Sequence, residues 1–414
     1  MSYKNIVYGK DRIRRNYSRV QTNVELPNLI EIQTKSYADF INSGLQELFN
    51  EVSPIKDHSE KLELYFGNLE FGEPKYSIEE AKRNDANYSW PLRVDAYLKN
   101  NETGEIKQDK IFMGDYPKMT PWGTFIINGS ERVIVTQIIR SAGVFYASET
   151  DKKSGKVFYT GQVIPTRGAW IEFELGNKDI WYAKVDRSKK IPLTTFLRAI
   201  GLNKRKDIVN MFGDSEYLRQ TFEKDDSFGT DDALEKLYDR VRPGEKSTPE
   251  GARNFLASRL FDTKRYDLAD VGRYKVRKKL DIFSRLDYIV NHVKGVVFKD
   301  DIKAASHVDE ETGEIIENDT VLVTAGSPVD KANVDILRAN KEALRKTFTY
   351  EAMLEGNSVI LDTVTVVLDN GQEIKIVGND QRENVNHITL SDILAATSYY
   401  MNLHFGLGTC DDIA

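Results

Sequence analysis

Side chains able to do covalent or metal chemistry are scattered along this chain rather than gathered. The histidines His58, His292, His307, His387 and His404 lie apart from one another and from the single Cys410. None of them has the close spacing with which His and Cys ligate zinc. Neighbouring carboxylates occur at Asp225-Asp226, Asp231-Asp232 and Asp411-Asp412. A cation-dependent phosphoryl-transfer site would need such groups to converge. The first two pairs fall in the polar stretch Glu223 to Asp232, which reads as a solvated loop. No G-x-x-x-x-G-K-[ST], G-x-G-x-x-G or G-x-S-x-G is present, so no phosphate-cradling loop or nucleophile elbow is offered. Nothing here marks an active site by itself.

Basic residues do cluster, and their chemistry is the binding of anions. Lys4, Lys10, Arg12, Arg14, Arg15 and Arg19 crowd the N-terminal arm. Composition favours a solvated terminus there, with contact to an acidic surface or nucleic acid as the other reading. Lys264, Arg265, Arg273, Lys275, Arg277, Lys278 and Lys279 are interleaved with Tyr266 and Tyr274. That mixture suits a nucleic-acid backbone; a solvent face balanced by Asp267 and Asp270 fits it equally well.

These residues need a scaffold, and the composition supplies one. The 414 residues are 40% hydrophobic and 29% charged, with a net charge of −6. At about 150 residues per domain this is two or three domains with ample core. No run approaches the ~18 apolar residues of a membrane span. The N-terminus lacks the apolar core of a signal peptide, and a lone cysteine fits a reducing cytoplasm.

The elements follow from periodicity and turn chemistry. A helix is expected from Asn28, with Ile30, Thr34, Tyr37 and Ile41 on one face and Gly44 as its stop. Strands fill Tyr65 to Ile139, with turns at Glu102-Thr103-Gly104 and Asn128-Gly129. The second hairpin, GTFIINGSERVIVTQII, is apolar on both faces and is expected to be buried. Arg132 and Gln137 within it then need partners or a ligand. A second strand-rich region starts at Ser154, with Trp170 and Trp181 as large apolar contributors. A helix over Thr194 to Ile200, closed by Gly201, and a helix-loop-helix over Asp231 to Leu260 with Thr248 as N-cap come next. A polar excursion spans Lys299 to Asp319, a hairpin turns at Asp369-Asn370-Gly371, and a last helix has Ser391 as N-cap and Gly406 as stop.

The segments PNLIEIQTKSY, GEPKYSIEEA, PLRVDAYLKNNETGEIK, FMGDYPKMT, GTFIINGSERVIVTQIIRSAGV, IPTRGAWIEFE, VDRSKKIPLTTFLRAIG, RPGE and RYDLADVGRYK occur in this order. Together they resemble the N-terminal part of the bacterial DNA-directed RNA polymerase β subunit, from about Tyr8 to Ile413. The resemblance implies a β-rich α+β, multidomain fold. It implies a protrusion over 1–140 that lacks its closing strands and a lobe over 141–410 with a variable excursion at about 299–319. Residues 411–414 would begin a return segment. It implies transcription of DNA into RNA by an assembled cytoplasmic nucleotidyltransferase, to which this part contributes a wall of the DNA cleft without catalysing alone. The implied partners are the α, β′ and σ subunits, DNA, nascent RNA and elongation factors, with no membrane. No cofactor is expected in this chain, the magnesium being held by β′.

The resemblance also carries site residues. Arg140 matches a position lining a pocket for a flipped non-template guanine, Trp170 one that stacks on a neighbouring unpaired base, and Asp186 another member of that surface. A guanidinium fork suits base edges, and an aromatic platform contributes ~1–3 kcal/mol per stacked base. Arg242, opening Arg-Pro-Gly-Glu, resembles a gate-loop residue facing the clamp, and Arg265 a lobe arginine beside the DNA channel. Arg132, Val135 and Gln137 match rifamycin-proximal positions. Ile106, Lys107 and Gln108 resemble the patch met by the transcription-repair coupling factor. Three residues depart from the pattern: Ala142 replaces a usual Pro, Gln108 a common Glu, and Ala414 an aspartate of the guanine pocket. The alternative reading is a free-standing β-rich module that binds single-stranded nucleic acid.

Overall fold

A computed structural model describes residues 3–8, 12–17, 27–57, 59–152, 155–176, 178–305, 307–308, 315–316, 320–351, 353–382 and 384–411. Lys10, Arg19, His58, residues 309–314 and 317–319 of the polar excursion, Asp412 and Ala414 lie outside these residues. The chain divides into two units, residues 1–138 and 139–414, and its mixture of helices and several sheets is α+β.

In the first unit the basic arm forms an antiparallel hairpin, β1 (Lys4–Tyr8) with β2 (Arg12–Asn16). Helix α1 (Glu31–Asp39) passes through a π-turn, Phe40–Gly44, directly into α2 (Leu45–Val52). Gly44 is therefore not a stop. Its backbone is ordinary right-handed helix (φ −61°, ψ −33°), and Leu45 and Phe49 beyond it are buried against Leu92 and Val94. That packing outweighs the ~1 kcal/mol propensity penalty of a helical glycine.

Strands β3 (Ile55–Lys56) and β4 (Leu62–Phe71), helix α3 (Ile78–Arg83), and strands β5 (Ser89–Asn100) and β6 (Ile106–Pro117) follow. The sheet order is β3-β4-β5-β6, so β6 is an edge. The Glu102–Gly104 turn joins β5 to β6 as expected. Strands β7 (Phe125–Ile127) and β8 (Ser130–Arg132) flank Asn128 and Gly129, whose φ of 49° and 72° fit a two-residue hairpin turn. Burial of that hairpin fails beyond its start: Phe125 and Ile126 are buried, but Val133, Ile134, Val135, Ile138 and Ile139 are exposed. Pairing ends at Arg132, so nothing described covers the apolar run.

The second unit opens with a five-stranded antiparallel sheet: β9 (Gly143–Thr150), β10 (Val157–Ile164), β11 (Ile171–Leu175), β12 (Trp181–Val185) and β13 (Ile191–Pro192). Six helices come next: α4 (Leu193–Ala199), α5 (Arg205–Phe212), α6 (Glu216–Lys224), α7 (Thr230–Val241), α8 (Pro249–Leu260) and α9 (Ala269–Leu280). Gly201, at φ 123°, ends the first of them as expected, and Thr248 Oγ1 caps α8 by accepting from Gly251 N. The stretch Glu223 to Asp232 is not a solvated loop throughout. The Asp225 carboxylate is fully buried, accepting from Thr195 Oγ1 at 2.8 Å and Ser227 Oγ at 2.6 Å, while Asp231 and Asp232 start α7.

Beyond α10 (Ile282–His292) lie β14 (Val297–Phe298), β15 (Ile302–Lys303), β16 (His307–Val308), β17 (Ile315–Ile316), β18 (Val321–Val323) and α11 (Lys331–Ala339). Strands β19 (Arg345–Thr349), β20 (Ser358–Val367) and β21 (Glu373–Gly378) build a second sheet with β14. Helix α12 (Leu390–Leu403) is buried along its whole length, so it has no outer face. Its N-cap is Thr389 rather than Ser391, through a reciprocal capping box with Asp392. Asp392 also accepts from buried Arg273 and from Asn379 Nδ2. Arg273 and Tyr266, expected in a charged surface stretch, thus belong to the interior.

Candidate nucleic-acid interface

The five-stranded sheet has one buried and one open face, because side chains alternate along each strand. Ile171, Phe173 and Leu175 point into the core. Cross-strand register then sets Phe145, Gln162, Glu172 and Lys184 in one row on the open side. Arg140 joins that row. Its Nη1 donates to Gln162 Oε1 at 2.9 Å, and its guanidinium lies 5.2 Å from the Phe145 ring centre. Gln162 Nε2 in turn donates to Glu172 Oε1 at 3.0 Å.

Trp170 precedes β11 by one residue, two before Glu172, and so falls on the same side. It remains 42% exposed, unlike Trp181 at 1%; it is not a core tryptophan. Asp186 lies opposite it, its N–H donating to Trp170 O at 2.6 Å. Arg140, Trp170 and Asp186 are therefore brought to one face. The approach to Trp170 is fixed from behind by Gly168 (φ 135°). A Cβ there would stand 2.6 Å from Tyr266 Cδ2, so only glycine lets this turn lie on the buried tyrosine ring.

Arg242 connects to this face through residues the sequence reading missed. The Asp186 carboxylate accepts from Arg259, and Arg259 lies 5.8 Å from the Phe255 ring, which Arg242 approaches at 4.6 Å. Arg242 Nη1 also donates to Glu245 Oε2 at 3.2 Å. Hydrogen bonds from Arg242 and then Tyr238 hold the Glu245 carboxyl below the usual carboxylate range, and the bond to Glu245 raises Arg242. Arg265 is well exposed, near Asp262 (3.5 Å) and Ser258 (3.4 Å). Gln162 had a signal, a polar residue in an apolar strand; Arg259 and Phe255, inside an ordinary helical pattern, had none.

The face offers a ring with one open surface, arginines held by neutral or paired partners, and acceptors at Asp186 and Glu172. That combination has the chemistry needed to stack an unpaired base and to contact its edges. Among the described residues no group of three His, Cys, Asp or Glu could hold a metal ion, and no helix is long and apolar enough to cross a membrane.

Within the first unit, Ile106, Lys107 and Gln108 begin the exposed edge strand β6. Gln108 Nε2 reaches Tyr97 Oη at 3.4 Å, and Lys107 lies 3.8 Å from Glu105. Arg132, Val135 and Gln137 are all exposed. Val135 and Gln137 line an apolar cavity of about 490 Å³ with Tyr37, Phe40, Met119 and Phe125, which Arg132 does not line.

Residues 140–290 match the family described as RNA polymerase Rpb2, domain 2. The whole chain is 46% identical over 421 residues to the DNA-directed RNA polymerase subunit beta of Geobacillus thermodenitrificans, covering 34% of that protein. It is 45% identical to the Listeria welshimeri subunit, with 99% of this chain and 33% of that one aligned. For Acholeplasma laidlawii the identity is 42% over 474 residues, covering all of this chain and 37% of the relative. The chain thus spans about a third of the length of these relatives, and the likeness does not favour a free-standing module. Over its full length this chain belongs to the bacterial DNA-directed RNA polymerase β-subunit family, whose N-terminal third it matches.

Proposed function

We propose that this chain serves as the N-terminal part of an RNA polymerase β subunit, in an assembled cytoplasmic enzyme that transcribes DNA into RNA. In this reading residues 1–140 are protrusion and 141–410 lobe. The open sheet face carrying Arg140, Trp170 and Asp186 steadies the unpaired non-template strand, and Arg242 and Arg265 border the downstream DNA. The observation that carries it is the convergence of those first three residues on one face, with Trp170 unburied. The chain's own groups bind and orient; nucleotide addition belongs to partner subunits, with α, β′ and σ completing the enzyme and β′ holding magnesium. The edge strand at Ile106, Lys107 and Gln108 presents unpaired backbone to which a factor, such as the coupling factor, adds a strand. Elongation factors engage the gate loop at Arg242, and the rifamycin-proximal role of Arg132, Val135 and Gln137 belongs to the same assembly.

The test is Arg140→Ala in the assembled enzyme. Open-complex lifetime or start-site choice is expected to change while nucleotide addition on a preformed scaffold stays near the parent rate. Equal loss of both activities overturns the assignment.

A further inference from the structure

A pocket of about 440 Å³ opens in the second unit between β9, α9, α10 and the segment after α12. Its lining includes Lys275, Lys278, Lys279, Arg285, Tyr399 and Asp411. Lys279 is answered by Asp411 at 2.8 Å. The other three cations have no carboxylate partner among the described residues: Lys275 Nζ donates only to Ser141 Oγ at 2.5 Å, and Lys278 rests over the Tyr274 ring at 5.9 Å.

Arg285 is the informative member. It is 3% exposed, and its guanidinium lies 5.2 Å from the Tyr399 ring centre. Nη1 donates to Val377 O at 2.6 Å and lies 3.5 Å from Ser398 Oγ; Nε and Nη2, closed to solvent, have no hydrogen-bond partner among the described residues. A buried arginine without a carboxylate beside it is costly, and an anion in the adjoining pocket offsets that cost through its field. Burial draws its pKa down only to about 10, so the charge persists at neutral pH.

We infer that this pocket binds a free oligophosphate, the buried Arg285 charge lying beneath its floor and Lys275 and Lys278 donating from its rim. Three uncompensated cations suit a ligand of several negative charges, and the volume exceeds what one phosphate fills. Ammonium donors to phosphate oxygen give the strong class of hydrogen bond. The phosphate could equally be supplied by a nucleic-acid backbone, which the test separates. The inference does not depend on the polymerase reading.

The test uses protein purified natively with whatever chains accompany it. Acetylation rates of Lys275, Lys278 and the exposed Lys264 are read by peptide mass spectrometry with rising tripolyphosphate, then with duplex DNA instead. Selective protection of Lys275 and Lys278 by tripolyphosphate is expected, with Lys264 unchanged. Equilibrium dialysis should show the Lys275→Gln, Lys278→Gln double variant binding tripolyphosphate at least about tenfold more weakly. Equal slowing at Lys264, absence of protection, or protection by DNA alone would each overturn the inference.

Discussion

Replacing Trp170 by Leu removes an aromatic platform while keeping an apolar side chain against the fold. The indole is 42% exposed. Taking its burial capacity as about 250 Å², a stacked base would withdraw roughly 100 Å² of it from water. At ~25 cal/mol per Å² that is about 2.5 kcal/mol, within the ~1–3 kcal/mol seen for base–aromatic stacking. The open complex of the variant should therefore dissociate roughly 5- to 140-fold faster, about 60-fold at 2.5 kcal/mol. The backbone bond from Asp186 N to Trp170 O does not involve the side chain, so the local turn survives. The assay is competitor-challenged decay of promoter complexes in the assembled enzyme, with Trp170→Tyr as the ring-retaining control and thermal melting as the fold control. Unchanged decay for Leu, or equal acceleration for Tyr and Leu at equal melting temperature, would refute the stacking argument.

Three further outcomes concern stability. Asp392→Ala removes the buried carboxylate that pairs with Arg273 and opens the α12 capping box. A loss of about 3–5 kcal/mol is expected in denaturant unfolding of the intact chain, against near recovery when both partners become apolar. His404, packed among Trp181, Tyr217 and Tyr400, has its pKa pulled by burial from 6.5 to about 4. The unfolded chain then binds more protons than the fold between those values, so stability falls as pH drops through that window, by ~1.4 kcal/mol per unit. His404→Gln should abolish that loss in pH-dependent melting. Burial raises Asp362 to about 6, which acts oppositely between 3.8 and 6, so Asp362→Asn should deepen the acid sensitivity that His404 causes.

Local signals proved legible where local chemistry decides the outcome. The turns at Glu102–Gly104, Asn128-Gly129 and Asp369–Gly371 and the cap at Thr248 need only their own residues and neighbours. Gly44 misled because the packing of Leu45 and Phe49, set by β5, overrode a weak propensity. The run Val133–Ile139 misled because apolarity announces a need for cover without saying whether a partner is adjacent. At the candidate site the individual residues came from resemblance to a family. Their convergence depends on strand register across β9 to β12, and the Arg259–Phe255 link to Arg242 depends on helix packing against a sheet. Neither is written in any short stretch of sequence.

Helix α12 has a consequence for how the protein is made. Tyr146 Oη donates to Ala396 O across 250 residues, and Tyr146 and Tyr399 stack at 4.4 Å. The sheet that β9 begins thus waits for its innermost helix until nearly the whole unit has been synthesised. At ~5–20 residues per second that interval is roughly 10–50 s. During it the part of the sheet around Tyr146 that α12 covers lacks that cover, even after α4 to α9 have packed on the rest, for far longer than the microseconds in which a hairpin closes. A translational pause placed before Leu390 would lengthen that exposure.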